Sequence, residues 1–327
     1  MKLHRPGPLA RRRGRPPEES FFTRAFPPLG RGGAAMNLPG LSIAFEGMDD
    51  RWRDAFLEGY RPYAVDSSPP RAGADLTLLA SRSEVEHYIP PPPAGVQELN
   101  PVFVVVEPET AHRGHWKVRA CTYDLAASFS TAKRRGGAVF SSMPIDSRER
   151  SVENILRVVT AWLALARGGL LIHSASIVKD AKAYLFFGRS GAGKSTLAES
   201  SRRGQVVSDD LTLILPSQRE SGKLAVVGSP YRGTYTAGEP YQGRAAIAAA
   251  FRLEKAPAGR TPAVAPLATG PAMADAISNL PFVVDQLHAS EDLFPAVERA
   301  LRCLPIFSLR FRKDDDSFWE AIEAAGL

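Results

Sequence analysis

From Val152 onward the apolar residues fall on one face of a helix. Val152, Ile155, Leu156, Val159, Trp162, Leu163 and Ala166 recur at the three-and-four spacing of an α-helix. Asp146 and Glu149 stand in capping-box positions ahead of this stripe, and Gly168-Gly169 closes it. Elsewhere the period shortens. Residues 41–45, 76–79, 102–106, 115–122 and 138–141 read as short strands between turns, with one short helix over 52–60. Residues 170–178 predict a strand, Lys179-Asp180 a polar turn, and the apolar run 183–187 a second strand, so the two form a hairpin. Further strands are expected at 205–207, 211–215, 223–227, 249–253 and 306–311, and helices at 194–203, 272–280 and 292–301. A capping box at 317–320 opens a last helix. Strands alternating with helices in one chain predict an α/β fold with a mixed sheet and a β-rich N-terminal portion.

Residues 1–40 show neither period. Rich in Arg, Pro and Gly, they are expected to form a disordered basic tail, with docking on an acidic partner as the alternative. Met36, just ahead of the first expected strand, is a candidate translation start. Three regions follow from this pattern: the tail (1–40), a β-rich N-terminal region (41–145) and an α/β region (146–327). The proline run 90–93 reads as a stiff spacer.

Charge changes the picture only for the tail. The chain of 327 residues carries a net charge of +6, and eight basic against two acidic residues within 1–35 account for all of it. The other 292 residues hold 33 charges of each sign, so no nucleic-acid partner is expected. Cys121 and Cys303 form no metal or redox spacing, which reads as a reduced, cytoplasmic setting. No apolar run approaches 18 residues, and no hydrophobic stretch follows Arg11-Arg12-Arg13, so neither a membrane span nor an export signal is read. His112 and His115 lack a third ligand and read as surface histidines.

The chemistry gathers after residue 187. Gly188, Arg189, Ser190, Gly191, Ala192, Gly193, Lys194, Ser195 and Thr196 contain the phosphate-loop pattern G-x-x-x-x-G-K-[ST]. The glycines allow tight turns that aim successive N–H groups at phosphate oxygens. Lys194 is a point charge for the terminal phosphates, and the Ser195 hydroxyl is a ligand for Mg²⁺. A strand before this loop and a helix after it complete the expected context, so ATP binding with Mg²⁺ is expected. The expected strand at 205–207 runs into Ser208-Asp209-Asp210, and two adjacent carboxylates are costly without a nearby cation. His173 shares a strand face with Leu171 and Ala175, one hairpin away from the loop. Arg232, Arg310 and Arg312 are further candidates to approach phosphates. Asp314, Asp315 and Asp316 suit the positive end of the last helix better than a metal.

Ile172-His173, the run from Gly188 to Thr196, and Ser208-Asp209-Asp210 together resemble the kinase domain of the HPr kinase/phosphorylase family. The resemblance covers roughly residues 165–235 and continues weakly through Phe251-Arg252-Leu253-Glu254. Residues 227–240 stand where that family has a Gly-rich signature. The resemblance implies a phosphoenolpyruvate carboxykinase-like P-loop kinase domain. It also implies roles by position: Lys194 and Ser195 on phosphates and Mg²⁺, Asp209 as acid/base, Asp210 beside the metal and His173 in support. The activity it implies is an ATP-dependent Ser/Thr kinase acting on a protein or peptide. A small-molecule phosphotransferase and a nucleotide-gated binding protein assisting peptide modification are the alternatives, and homo-oligomerisation is left open.

Overall fold

The structure, a computed structural model, describes residues 15–67, 73–92, 101–235, 237–257, 260–313 and 316–327. Part of the expected tail, Pro93 of the proline run, Asp314 and Asp315 lie outside these residues. The chain is mixed α/β and forms two compact units. One takes in the described residues up to Ala166 together with Gln286–Asp292, and the other runs Arg167–Asp285 and Leu293–Leu327.

The first unit is built on one sheet. Its strands are β1 (Gly32–Leu38), β2 (Leu41–Met48), β3 (Ala64–Asp66), β4 (Leu76–Arg82), β5 (Phe103–Pro108), β6 (Trp116–Cys121), β7 (Leu125–Ser130) and β8 (Arg135–Phe140). They lie in the order β3-β1-β2-β4-β8-β7-β6-β5. The β2–β4 and β4–β8 pairs are parallel and the others antiparallel. Helix α1 (Glu19–Phe22) precedes the sheet, and α2 (Asp50–Gly59) follows β2. Trp52 and Phe56 of α2 are buried edge-on to Phe45 at centroid distances of 5.3 and 5.7 Å. The long stripe becomes α3 (Arg148–Ala166), whose Trp162 sits 5.6 Å from Trp116 of β6.

Three expectations change here. Residues 15–40 are ordered structure: β1 pairs with β2 and β3, Ala34 to Met36 are buried, and Arg119 binds the Pro17 carbonyl at 2.9 Å. Gly-Gly-Ala-Ala has little intrinsic strand preference, and pairing on both edges overrides it. Met36 is therefore mid-strand, and a start there would remove half of β1. The division between units falls after Ala166 instead of at 145/146, because α3 lies on β6 and β7. Ser147 caps α3, its hydroxyl accepting from Arg150 N at 3.2 Å, in place of Asp146.

The second unit begins with the expected hairpin, β9 (Leu170–Lys179) and β10 (Lys182–Phe187), joined by Asp180 and Ala181, both at positive φ. Then come α4 (Lys194–Ser200), β11 (Gln205–Ser208), β12 (Leu211–Pro216), β13 (Leu224–Val227), β14 (Arg244–Lys255), β15 (Ala263–Pro266), α5 (Thr269–Ile277), α6 (Leu293–Leu301), β16 (Ile306–Phe311) and α7 (Phe318–Ala324). β10 lies between β9, antiparallel, and β14, parallel. Through β12 and β13 the pairings return to β14, closing a ring of five strands, and β16 and β15 extend beyond it. α4 ends at Ser200, short of the expected Arg203, because Ser201 turns extended. Ser317 is itself helical and makes no side-chain cap, so the expected capping box does not form. Among the described residues no helix is long and apolar enough to cross a membrane.

A Cβ added at Gly136 of β8 would lie 2.3 Å from the Ser128 carbonyl oxygen and 2.5 Å from Phe129 Cβ. Gly136→Ala is expected to lower stability by about 1–3 kcal/mol, as overpacking does. Gly59→Ala meets nothing within 4 Å and should leave stability equal or up to ~1 kcal/mol higher. Urea unfolding of the two variants checks the contrast, and equal midpoints would contradict the packing described.

Candidate functional site

Strand β9 sets the positions of the site. On one edge Ser174 pairs with Phe187, the last residue before the loop. On the other edge His173 pairs with Leu211, and Ser174 N donates to the Asp210 carbonyl at 3.0 Å. β11 and β12 both run antiparallel to that second edge, so they are one strand interrupted at Asp209-Asp210. Interruptions of this kind re-aim side chains. Gly188 and Asp210 thus leave their strands beside the same two residues of β9. On the far side of β10, Phe187 pairs with Arg252 of β14. At this level the order across the sheet is Asp210, His173-Ser174, Phe187-Gly188, Arg252.

The loop residues take the strand–turn–helix path expected of them. Gly188, Gly191 and Gly193 have φ of 156°, 78° and 104°. Ala192 N closes a turn on the Arg189 carbonyl at 2.9 Å, and Gly193 is the N-cap of α4. Arg189, Ser190 and Gly191 are exposed, while Ser195 and Thr196 are half-buried at the start of the helix. A side chain at Gly193 would strike the ring of Phe311, at 2.6 Å, so only glycine lets the loop lie this close to β16. Lys194 is buried, and its Nζ donates to the Gly188 carbonyl at 2.9 Å. Burial lowers its pKa from 10.5 to about 8, with the Asp210 charge acting the other way.

The two carboxylates part company. Asp209 is buried and fully engaged: Oδ1 accepts from Gly233 N (2.8 Å) and Tyr235 N (3.3 Å), and Oδ2 from Thr234 N (3.1 Å) and Thr234 Oγ1 (3.2 Å). Both oxygens are thus occupied by donors of residues 233–235, and the contacts of Asp209 are those of an anchor for that segment, not of the acid/base expected there. Asp210 Oδ1 lies 3.1 Å from His173 Nδ1, without the alignment of a hydrogen bond, and its charge is felt by Lys194. His173 is held through its backbone as well, its N–H donating to the Asn279 carbonyl at 2.7 Å. The structure therefore brings Lys194, Asp210 and His173 together at the loop.

The arginines fare differently. Arg232 is spent on the Ala237 and Gly238 carbonyls and stacks on Tyr235, and Arg310 and Arg312 are exposed at the end of β16. Asp316 pairs with Arg203 at 3.8 Å. The polar residue that lies at the loop is Arg252, bridging Glu254 and Asp275 (3.0 Å). The period of two on β14 places Arg252 and Glu254 on one face at a strand end, which was the available sign. Gly233 was also missed: a Cβ there would sit 3.0 Å from Asp209 Oδ2 and 3.0 Å from Asp210 Cβ. Among the described residues no group of three or more His, Cys, Asp or Glu could hold a metal unaided. Ser195, at the start of α4, and Asp210 are the residues that could hold a Mg²⁺ bound together with phosphates.

Two outcomes follow from these contacts. Asp209→Asn turns an NH₂ toward N–H donors and should cost about 1–3 kcal/mol. It should also speed hydrogen exchange at the Gly233, Thr234 and Tyr235 amides, which Asp210→Asn should leave protected; equal protection in both variants would refute the anchor. For Lys194 the folded pKa is depressed, so the unfolded chain binds the proton more tightly. The burial cost is full below about pH 8 and is relieved as pH rises toward 10.5. Wild type should therefore gain stability over that window relative to Lys194→Met, in thermal unfolding followed against pH. No protein-family model matches this chain, and no curated protein matches it.

Proposed function

We propose that this chain is an ATP-dependent phosphotransferase that moves the γ-phosphate of ATP to a Ser or Thr hydroxyl of a protein or peptide. The observation that carries the reading is the buried Lys194, seated in a glycine loop and facing the Asp210–His173 pair. The resemblance of the three motifs to HPr kinases supports the same reaction, on a phosphoenolpyruvate carboxykinase-like fold.

The loop amides and Lys194 would bind and orient the triphosphate. Ser195 and Asp210 would hold Mg²⁺ with the phosphate oxygens, where the ion offsets their charge. Acid/base work falls to the His173–Asp210 pair. The Asp210 carboxylate lies 3.1 Å from Nδ1, so Nε2 is the ring nitrogen proposed to receive the acceptor's proton. The acceptor oxygen then bonds to the γ-phosphorus, the bond to the β-phosphate oxygen breaks, ADP leaves and the hydroxyl proton passes to His173. Asp209 acts indirectly, by holding residues 233–235 beside Asp210.

Saturating Mg²⁺-ATP should stabilise the wild type by a few kcal/mol, ~2–4 at a hundred- to a thousandfold excess over Kd. Lys194→Ala should lose that shift. His173→Ala should keep it and lower transfer by ~10²–10⁴-fold. Labelled ATP with a lysate of the source cell reads out the acceptor: a labelled protein band supports the proposal. A labelled metabolite favours a small-molecule acceptor, no label a binding protein, and an unchanged shift in Lys194→Ala defeats the nucleotide site itself.

A further inference from the structure

We infer that Glu254 and Asp275 read the ribose of the phosphoryl donor, so that the site takes a ribonucleoside triphosphate and discriminates against a donor that lacks the ribose hydroxyls. This rests on the phosphate-loop reading above. It starts from a cleft of about 480 Å³ that lies on one side of the loop. One wall is the outer loop, residues 188–192, and the other is the end of β14 with Asp275, Ser278 and Asn279 at the end of α5.

The order of pairings gives a bound nucleotide its direction. Phe187, from which the loop springs, has His173-Ser174 and Asp210 on one side and Arg252 on the other. The reacting groups, Lys194, Asp210 and His173, occupy the first side, so the terminal phosphate belongs there. The rest of a nucleotide then extends from the loop toward Arg252, into the cleft. β10, β14 and β16 run parallel, and the cleft opens outside their carboxyl ends, where ligands of α/β sheets bind.

The cleft is lined by Arg189, Arg252 and Lys255 together with two carboxylates, Glu254 and Asp275, and it is the carboxylates that suit a sugar. Arg252 donates to both Glu254 and Asp275, so its charge is already matched by two carboxylates. Those carboxylates keep 39% and 32% of their side-chain surface exposed, fixed by one guanidinium and able to accept further hydrogen bonds. Carboxylates only accept, and they recognise donors. The ribose carries two hydroxyl donors that such acceptors can take, and an ionised polyphosphate carries none. A carboxylate reading ribose hydroxyls beside a bound pyrophosphate is an established way to hold a nucleotide. A surface ion-pair network would explain the Arg252 contacts alone, but not their place one strand from the phosphate loop on the wall of a cleft.

The test is calorimetric binding of ATP, dideoxy-ATP and inorganic tripolyphosphate to the full chain with Mg²⁺. Wild type should bind ATP ~10-fold or more tightly than either of the other two, as expected for hydroxyls that satisfy fixed acceptors. Glu254→Gln and Asp275→Asn should each narrow that gap while leaving the tripolyphosphate Kd within about twofold. Because loss of an Arg252 partner can disturb the fold, the wild-type series decides by itself. Equal affinity for ATP and dideoxy-ATP, or for ATP and tripolyphosphate, overturns the ribose assignment and leaves the phosphate loop standing. Failure of both ATP and tripolyphosphate to bind overturns the phosphate-loop reading, and this inference falls with it.

Discussion

The two-sided pairing of β9 is the constraint on which the site depends. A strand has one register with each neighbour, and slipping either by one residue turns every side chain over. On β9 both registers converge on His173 and Ser174: Phe187 delivers the loop from one edge and Leu211 delivers the carboxylate pair from the other. The parallel neighbour of β10 adds Arg252 at the same level. Groups separated by as many as 79 positions in sequence are thereby set by backbone hydrogen bonds, before any side chain of the site is considered.

Rigidity under the loop comes from a second source. Phe186 and Phe251 stack at 5.5 Å with planes 16° apart, and Phe318 and Trp319 of α7 stand edge-on to Phe186. Leu197 and Ala198 of α4 join this cluster, together with Phe311 of β16. The helix after the loop is short, so little of its stability is intrinsic and packing must hold it. Glycine at 193 is part of the same fit, since the ring of Phe311 fills the space a Cβ would need. Such a floor fixes the directions of the backbone amides of residues 188–194.

Legibility followed the range of the interactions. The glycine turn between β10 and α4, the hairpin feeding it and the long stripe of α3 were readable because each is dictated by neighbours a few residues away. β1 was not, because Gly32 to Ala35 become a strand only through pairing with β2 and β3. Nor were the roles within Asp209-Asp210, since the donors that occupy Asp209 come from residues 233–235, about 25 positions later. The cap at Ser147 and the uncapped Ser317 show the same limit at smaller scale. Both stretches carry suitable residues, and the conformation of the cap residue decides which one bonds.

Why two consecutive aspartates stand here follows from that geometry. The two stand in the bend between β11 and β12, and there their carboxylates meet different partners. Asp209 faces residues 233–235 and is neutralised by their donors, while Asp210 faces His173 and the charge of Lys194. Each carboxylate therefore has its own compensation, which removes most of the cost of placing them together. The anchoring half in turn shapes the other: Gly233 approaches so closely that a Cβ would touch both residues, so the segment Asp209 holds forms a wall beside Asp210. A single aspartate could supply either the anchor of that wall or the carboxylate beside His173. The pair supplies both from one interruption in one strand.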